Sequence, residues 1–326
     1  MPERNPDTVR TLVIGGGLLG GAVLRELARR HRPAAYARID WTGDPVADLE
    51  RELDAFAAAG EGEWRIAWCA GAGVTATSAD MFAREEQVFD SFAATVERLC
   101  RESRLDARQG SVFLASSAGA LYAGLADPPY TERSGTAPLS PYGHSKLALE
   151  ARLRALAGGT GLAAAIGRIT NLYGPGQNLA KPQGLISHLC RAHVTGQPIG
   201  IYVPLDTLRD YLFVDDAAAL VLDLLDAVTD RPGEASVKIL ASQCSVSVAA
   251  LVMQAQRVFR RPIRVLFGAS SQAARQARDL RVRSVVWPEL DRRSLCTLPS
   301  GIAATAADIE ARLVRASAPR EPAGAA

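Results

Sequence analysis

Lysine is scarce in this sequence. Only Lys146, Lys181 and Lys238 stand among its 37 basic residues, and the others are arginine. A lysine at a defined spacing from another reactive side chain is therefore seldom an accident of composition. Arginine, by contrast, offers a planar fork suited to bidentate phosphate recognition. Basic residues are spread along the chain and the net charge is only +2, which leaves no nucleic-acid footprint. No segment reaches the ~20 apolar residues that a membrane span requires. The chain shows no signal peptide: it is charged and polar up to Thr8, and the first apolar run is strand-sized. Cysteine is sparse and odd in number. Cys69, Cys100, Cys190, Cys244 and Cys296 are widely spaced without a C-x-x-C, and they read as reduced thiols of a cytoplasmic protein. Cys190, His193 and His188 lie close together on a predicted helix but lack acidic partners, so helix surface is preferred to a metal site. Repeats and Gly/Ser linkers are absent as well.

What remains is a globular composition, 48% hydrophobic and 22% charged over 326 residues, enough for one large domain or two coupled ones. The segment Pro141–Lys146 reads P-Y-G-H-S-K and puts Tyr142 four residues before Lys146. On a helix these two share a face. An ammonium beside a phenol favours the phenolate and lowers the Tyr pKa, so the pair can take a proton from a hydroxyl and return it. Random placement of this chain's Tyr and Lys residues would give roughly 0.06 such pairs. The bland alternative is an ordinary surface helix.

Ahead of that pair, Val9–Ile14 is a predicted strand that runs into Gly15, Gly17 and Gly20 as G-x-G-x-x-G and then into an apolar-periodic helix. Strand, glycine turn and helix form the context in which a dinucleotide pyrophosphate sits at a helix N-terminus. The alternative is a glycine turn used only for packing. Ala34–Ile39 is the predicted second strand. It ends at Asp40, placed to accept an adenine-ribose diol, which favours NAD over NADP without excluding the latter. The region to the next strand is short, so the alternative places Asp40 or Asp44 in a compressed third strand. Arg65–Ala70 is a buried strand ending in Gly71, Ala72 and Gly73, small enough to lie under a cofactor. A long helix over about 79–101 and a strand over 111–115 follow. Ser116 and Ser117 stand at that strand's carboxyl end, where open α/β sheets bind ligands, or else they cap a turn. The Pro-rich loop 125–141 reads as a lid or substrate-facing segment. Beyond Leu162–Arg168 the strand–helix alternation loosens.

The order glycine turn, S-S-A-G-A-L-Y, Y-G-H-S-K, R-I-T-N-L-Y-G-P-G-Q-N and L-R-D-Y-L-F-V-D-D resembles the extended short-chain dehydrogenases/reductases of the nucleotide-sugar epimerase/dehydratase type, from about Val9 to Val314. The resemblance implies an α/β fold, a Rossmann-type doubly wound parallel sheet with a smaller α/β substrate-binding domain. The expected division is residues 8–170 with 212–240 for the dinucleotide and 171–211 with 241–316 for the substrate, leaving 317–326 as a disordered tail. It implies NAD as cofactor, a nucleotide-diphosphate sugar as substrate, and a homodimer paired through the helices over 79–101 and 142–156. Tyr142 resembles the acid/base and Lys146 the residue that holds the nicotinamide ribose. Ser117, or else Ser116, resembles the hydroxyl on the reacting sugar oxygen. Asn171 resembles a substrate contact, Arg209 a diphosphate-binding arginine, and Arg278 or Arg275 the second such arginine.

The departures narrow the reaction. The turn is G-x-G-x-x-G where G-x-x-G-x-x-G is commoner in the family. Where the 4,6-dehydratases carry an Asp-Glu pair, this chain has Ala118 and Gly119, so dehydration is not expected. The Cys and His of 3,5-epimerizing reductases find no match, since Cys69 lies elsewhere and Gly184 stands at the His position. A 4-epimerase working through a 4-keto intermediate is the leading expectation, a 4-ketoreductase using NAD(P)H the alternative, and a non-catalytic dinucleotide sensor the third.

Overall fold

Alternation of short buried strands with amphipathic helices builds the sheet that positions every candidate residue. The computed structural model describes residues 9–71, 79–180, 183–268 and 277–317. Ala72, Gly73, Arg275 and the tail beyond 317 lie outside them. Six strands form one parallel sheet in the order β2-β1-β3-β4-β5-β10. They are β1 (Arg10–Ile14), β2 (Ala34–Ala37), β3 (Trp64–Trp68), β4 (Gly110–Ser117), β5 (Ala163–Ile169) and β10 (Ala235–Leu240). The short pairs lie outside it: β6 (Asn171–Tyr173) with β9 (Tyr211–Phe213), β7 (Ile199–Ile201) with β12 (Val265–Phe267), and β8 (Leu208–Arg209) with β11 (Val246–Ser247).

Helices cover both faces. On one side α2 (Pro45–Ala58), α3 (Ala79–Arg101) and α5 (Pro141–Thr160) close over a core that includes Trp64, Trp68, Phe89, Phe92 and Leu153. On the other, α1 (Leu18–Arg29) and α7 (Val214–Ala227) pack over a core that includes Val13, Phe113 and Val221. Strands covered on both faces must be apolar throughout, which is why β3 and β5 read as continuous buried runs. The one-turn helix α4 (Ala118–Leu121) follows β4 directly. A third cluster, around Tyr173, Leu189, Phe213 and Ile302, joins α6 (Leu185–Thr195), α8 (Val248–Phe259) and α9 (Leu298–Ser317).

Local chemistry sets the helix starts. Asp44 caps α2 by accepting from Ala47 N, with Pro45 in its first turn. Ser140 caps α5 by accepting from Gly143 N, Pro141 opens that helix, and Gly161 ends it in the left-handed region at φ 83°.

The second-strand region corrects the sequence reading. β2 stops at Ala37, three residues before Asp40, because the chain turns off an exposed sheet edge to reach the α2 cap. After α2 the chain enters β3 on the far side of β1, and no third strand lies between among the described residues. Neither Asp40 nor Asp44 belongs to one. Strand order therefore reverses at β1, which opens a crevice beyond the carboxyl ends of β1 and β3.

Candidate active site

The glycine turn lies at that crevice. Gly15 has φ +96°, and a Cβ there would stand 2.5 Å from Ala70 N; a Cβ on Gly20 would stand 1.8 Å from Gly15 O. Both positions exclude a side chain, the first by conformation as well as space. A Cβ on Gly17 would meet nothing within 4 Å. Gly17 is also the cap residue of α1, makes no side-chain capping bond, and is followed by no acidic residue in the first turn. Open space at a helix N-terminus with free N–H groups and no competing carboxylate fits a pyrophosphate. The dinucleotide cradle expected at Gly15, Gly17 and Gly20 is thus chemically suited to its ligand.

Asp40 lies three residues beyond β2, in the irregular stretch that leads to the α2 cap. Its carboxylate accepts from Thr42 N at 2.9 Å and Thr42 Oγ1 at 2.7 Å, and the Thr42 hydroxyl and backbone bonds hold it below the usual carboxylate range. Tyr36, which the sequence reading passed over, lies nearer the turn: a Cβ on Gly16 would stand 2.7 Å from its hydroxyl.

Tyr142 and Lys146 lie on one face of α5, with the ammonium 5.7 Å from the phenol ring centre. Tyr142 is half-buried and faces Phe82 of α3 at 6.0 Å between rings. Lys146 is 3% exposed and donates to Glu85 Oε1 at 2.9 Å. Burial alone would pull the lysine pKa down; the Tyr142 and Glu85 charges more than reverse this, and the net shift is upward. Gly143 sets the depth of the pair. A Cβ there would stand 2.7 Å from both Ala120 O and Pro138 Cβ, so the bare backbone lets the first turn of α5 press against α4.

The two serines separate cleanly. Ser116 Oγ donates to Glu150 Oε1 at 2.6 Å inside a buried network, in which Glu150 also takes two bonds from Arg168 and Arg168 reaches the Tyr122 hydroxyl. Ser117 lines a cleft instead, together with Ala118, Gly119, Thr170 and Asn171. Its oxygen accepts from Ala120 N at 3.3 Å, leaving the hydroxyl proton to be given outward. The far wall of the cleft is Leu280 and Val282, and Leu280 Cδ1 would stand 3.6 Å from a Cβ on Gly119.

Asn171 donates its side-chain amide to Asp210 O at 2.9 Å. Asp210 is 1% exposed and binds Thr170, Ser242 and Cys244, which makes it a clip between segments. Arg209 donates to Leu208 O at 2.8 Å and to Arg278 O at 3.4 Å. Its guanidinium has no carboxylate within 4.0 Å among the described residues, and burial lowers its pKa. A half-buried cation in that state gains from an anionic ligand. Arg278 immediately precedes Asp279, which bridges to Leu208, but its side chain is exposed, 3.7 Å from Asp206. Away from the site, Cys190 donates to Ile302 O and His193 stacks on Phe259 at 4.0 Å. No helix among the described residues is long and apolar enough to cross a membrane.

Sequence reasoning missed Glu85, Tyr36, Leu280 and Val282. The last two had a signal: in the arginine-rich run 277–284 Leu280 and Val282 alternate with Asp279, Arg281 and Arg283, the period of an extended segment with one inward face.

Residues 11–239 match the model of the NAD dependent epimerase/dehydratase family. Among curated relatives, dTDP-4-dehydro-6-deoxyglucose reductase of Escherichia coli is 33% identical over 105 residues, 32% of this chain and 33% of that protein. The dTDP-L-rhamnose 4-epimerase of Burkholderia thailandensis is 33% identical over 99 residues, 30% of this chain and 27% of that protein. The chain thus spans a third or less of these relatives' lengths. Among solved structures, UDP-glucose 4-epimerase of Thermotoga maritima with UDP-glucose superposes with a TM-score of 0.78 at 19% identity, covering 93% of this chain and 99% of that one. MoeE5 in complex with UDP-glucose and NAD gives 0.74 at 23% identity, covering 93% and 99%. At these identities the structures establish a shared fold.

Proposed function

The chain belongs to the NAD-dependent epimerase/dehydratase family, and from that premise we propose that it is a nucleotide-sugar 4-epimerase acting through a 4-keto intermediate. The observation that carries this reading is the cleft itself. The Ser117 hydroxyl, whose oxygen caps α4 but whose proton is uncommitted, opens into a pocket whose next two residues are Ala118 and Gly119 and whose far wall is apolar. Such a pocket can orient a sugar hydroxyl for proton transfer but holds no acid at these two positions to expel water from the ring. The relatives' solved complexes with UDP-glucose, one of them with NAD, support the ligand class.

In this reading the cradle of Gly15, Gly17 and Gly20 would hold NAD, with Asp40 and Lys146 as the residues for its two riboses, and bound NAD would supply the hydride acceptor and donor chemistry. Tyr142 takes the proton of the sugar hydroxyl as the carbonyl forms and gives it back when the alcohol is restored. Lys146 favours the phenolate at the moment the proton leaves. Ser117 donates to the reacting sugar oxygen, whose charge grows and fades during the transfer. Asn171, Arg209 and Arg278 hold the remote part of the substrate, and Arg209 supplies a cation for its diphosphate. The same reading carries a homodimer through α3 and α5.

A second reading is a 4-ketoreductase, favoured by the similarity to the Escherichia coli reductase. The same groups would then run one half of the cycle with a cofactor that exchanges at every turnover. The deciding experiment incubates the purified protein, without added cofactor, with a panel of UDP-, dTDP- and GDP-sugars. Stereochemical conversion with NAD retained through purification is expected. Turnover only of 4-keto-sugars with added NAD(P)H would establish the reductase, and no redox conversion of any sugar would refute both.

A further inference from the structure

The cation that tunes Tyr142 is itself paired. Lys146 Nζ and Glu85 Oε1 are 2.9 Å apart, and their side chains are only 4% and 13% exposed. The pair rests on Gly71, where a Cβ would stand 3.2 Å from Nζ and 3.4 Å from Oε1. The bare backbone at the end of β3 provides the room that both side chains use. The other charged groups on the packed elements are engaged elsewhere. On α3, Glu86 and Asp90 pair with Arg152, and Arg84 turns away to Gly43 O. On α5, Glu150 lies one turn past Lys146 but is held by Arg168 of β5 and Ser116 of β4, and His144 is exposed. Tyr122, next to α4, is bonded to Arg168 and to Thr131 O. On β10, Lys238 is held by Asp291. Glu85 is therefore the carboxylate that faces the ammonium.

We propose that Glu85 is a positioning residue for the Tyr142–Lys146 pair: its carboxylate anchors the ammonium and offsets part of the positive field that reaches the phenol. The inference rests on the acid/base reading of Tyr142. Lysine alone would favour the phenolate; a carboxylate one hydrogen bond behind it opposes that effect and keeps the phenol protonated to higher pH. Glu85 then sets how strongly the ammonium acts on the phenol in both directions of a reversible proton transfer.

The test removes the charge and keeps the shape. In Glu85→Gln the Tyr142 phenol should titrate on the order of one pH unit lower than in the wild type. The readout is phenolate absorbance of the cofactor-free protein, isolated as the difference between each protein and its Tyr142→Phe counterpart. In the active enzyme the acid limb of kcat/KM should move to lower pH by the same amount. Glu85→Asp, which keeps the charge, should leave the titration in place. Should Glu85→Gln fail to fold, Glu85→Ser is read in the same way. An unchanged or raised Tyr142 titration in a folded charge-free variant overturns the proposal, and so does an equal fall in Glu85→Asp, which would mark a packing effect. The titration needs neither sugar nor cofactor. Failure to convert any nucleotide sugar would refute the proposed function without touching this measurement.

Discussion

Lys238 and Lys146 are both buried, and each lies 2.9 Å from a carboxylate, yet their surroundings differ in one respect that separates structure from chemistry. Lys238, on β10, donates to Ser284 Oγ, Val286 O and Asp291 Oδ2 within 3.0 Å, with Trp287 O at 3.4 Å. Every proton of that ammonium has an acceptor. Glu132 joins the same knot, accepting from Ile239 N, Ser284 Oγ and Val285 N. Together they fasten the loop before α5 and the segment carrying Leu280 and Val282 to the edge of the sheet. Lys146 has one acceptor among the described residues, Glu85, and two protons to spare at the mouth of the cradle. A saturated buried ammonium is a rivet; one with protons left over is placed to meet a ligand.

The largest effect should come from removing the rivet. Lys238→Ala leaves Asp291 without its partner and should cost about 3–5 kcal/mol of stability, read by urea unfolding. Lys146→Met should cost clearly less stability, because it removes one hydrogen bond where Lys238→Ala removes four, while lowering turnover about 100-fold or more. A Lys146 variant that unfolds as readily as the Lys238 one would abolish the distinction. Tyr142→Phe is the next step down. It should reduce kcat by about 100- to 10,000-fold while leaving thermal unfolding within a degree or two of the wild type. Retention of full activity would return the chain to the sensor reading.

How far these sites could be read from the sequence follows from the range of the interactions that make them. Tyr142 and Lys146 were legible because helix geometry joins positions i and i+4, and the glycine turn because strand, turn and helix are contiguous. Glu85 was not legible. It is one of five acids on a 23-residue amphipathic helix, and only the packing of α3 against α5 distinguishes it from the other four. Lys238 was equally silent, because its acceptors lie some fifty residues downstream and two are backbone carbonyls. The choice between Ser116 and Ser117 also waited for tertiary structure. Adjacent residues on a strand point to opposite faces, but which face held Glu150 depended on α5. The second-strand boundary was misread because Arg38 and Ile39 extend a β-like pattern that the exposed sheet edge does not use.

Arg209 tests the comparison from the substrate side, since it too is a cation with donors to spare. Arg209→Ala should raise KM for a nucleotide sugar about 10- to 100-fold with kcat little changed, the worth of a charge-assisted hydrogen bond made equally in ground and transition states. Product inhibition by the free nucleoside diphosphate should weaken in parallel. A loss confined to kcat would place Arg209 at the reacting end and break the assignment.

The smallest effect lies in the pH dependence of stability. The folded protein raises the Lys146 pKa, against burial and through Tyr142 and Glu85. A raised lysine pKa means that the folded state holds the proton more tightly than the unfolded chain. The stabilisation is then fully present below the unfolded lysine value of about 10.4 and drains away as pH climbs through the higher folded value. Glu85→Gln removes one of the charges that raise it. The difference in unfolding free energy between wild type and this variant should therefore stay flat from pH 7 to about 10 and narrow above that. Urea unfolding at intervals across that range reads it directly. A difference that widens in alkali would mean that the ammonium gains nothing from Glu85, and the likeness between the two buried lysines would then end at their distances.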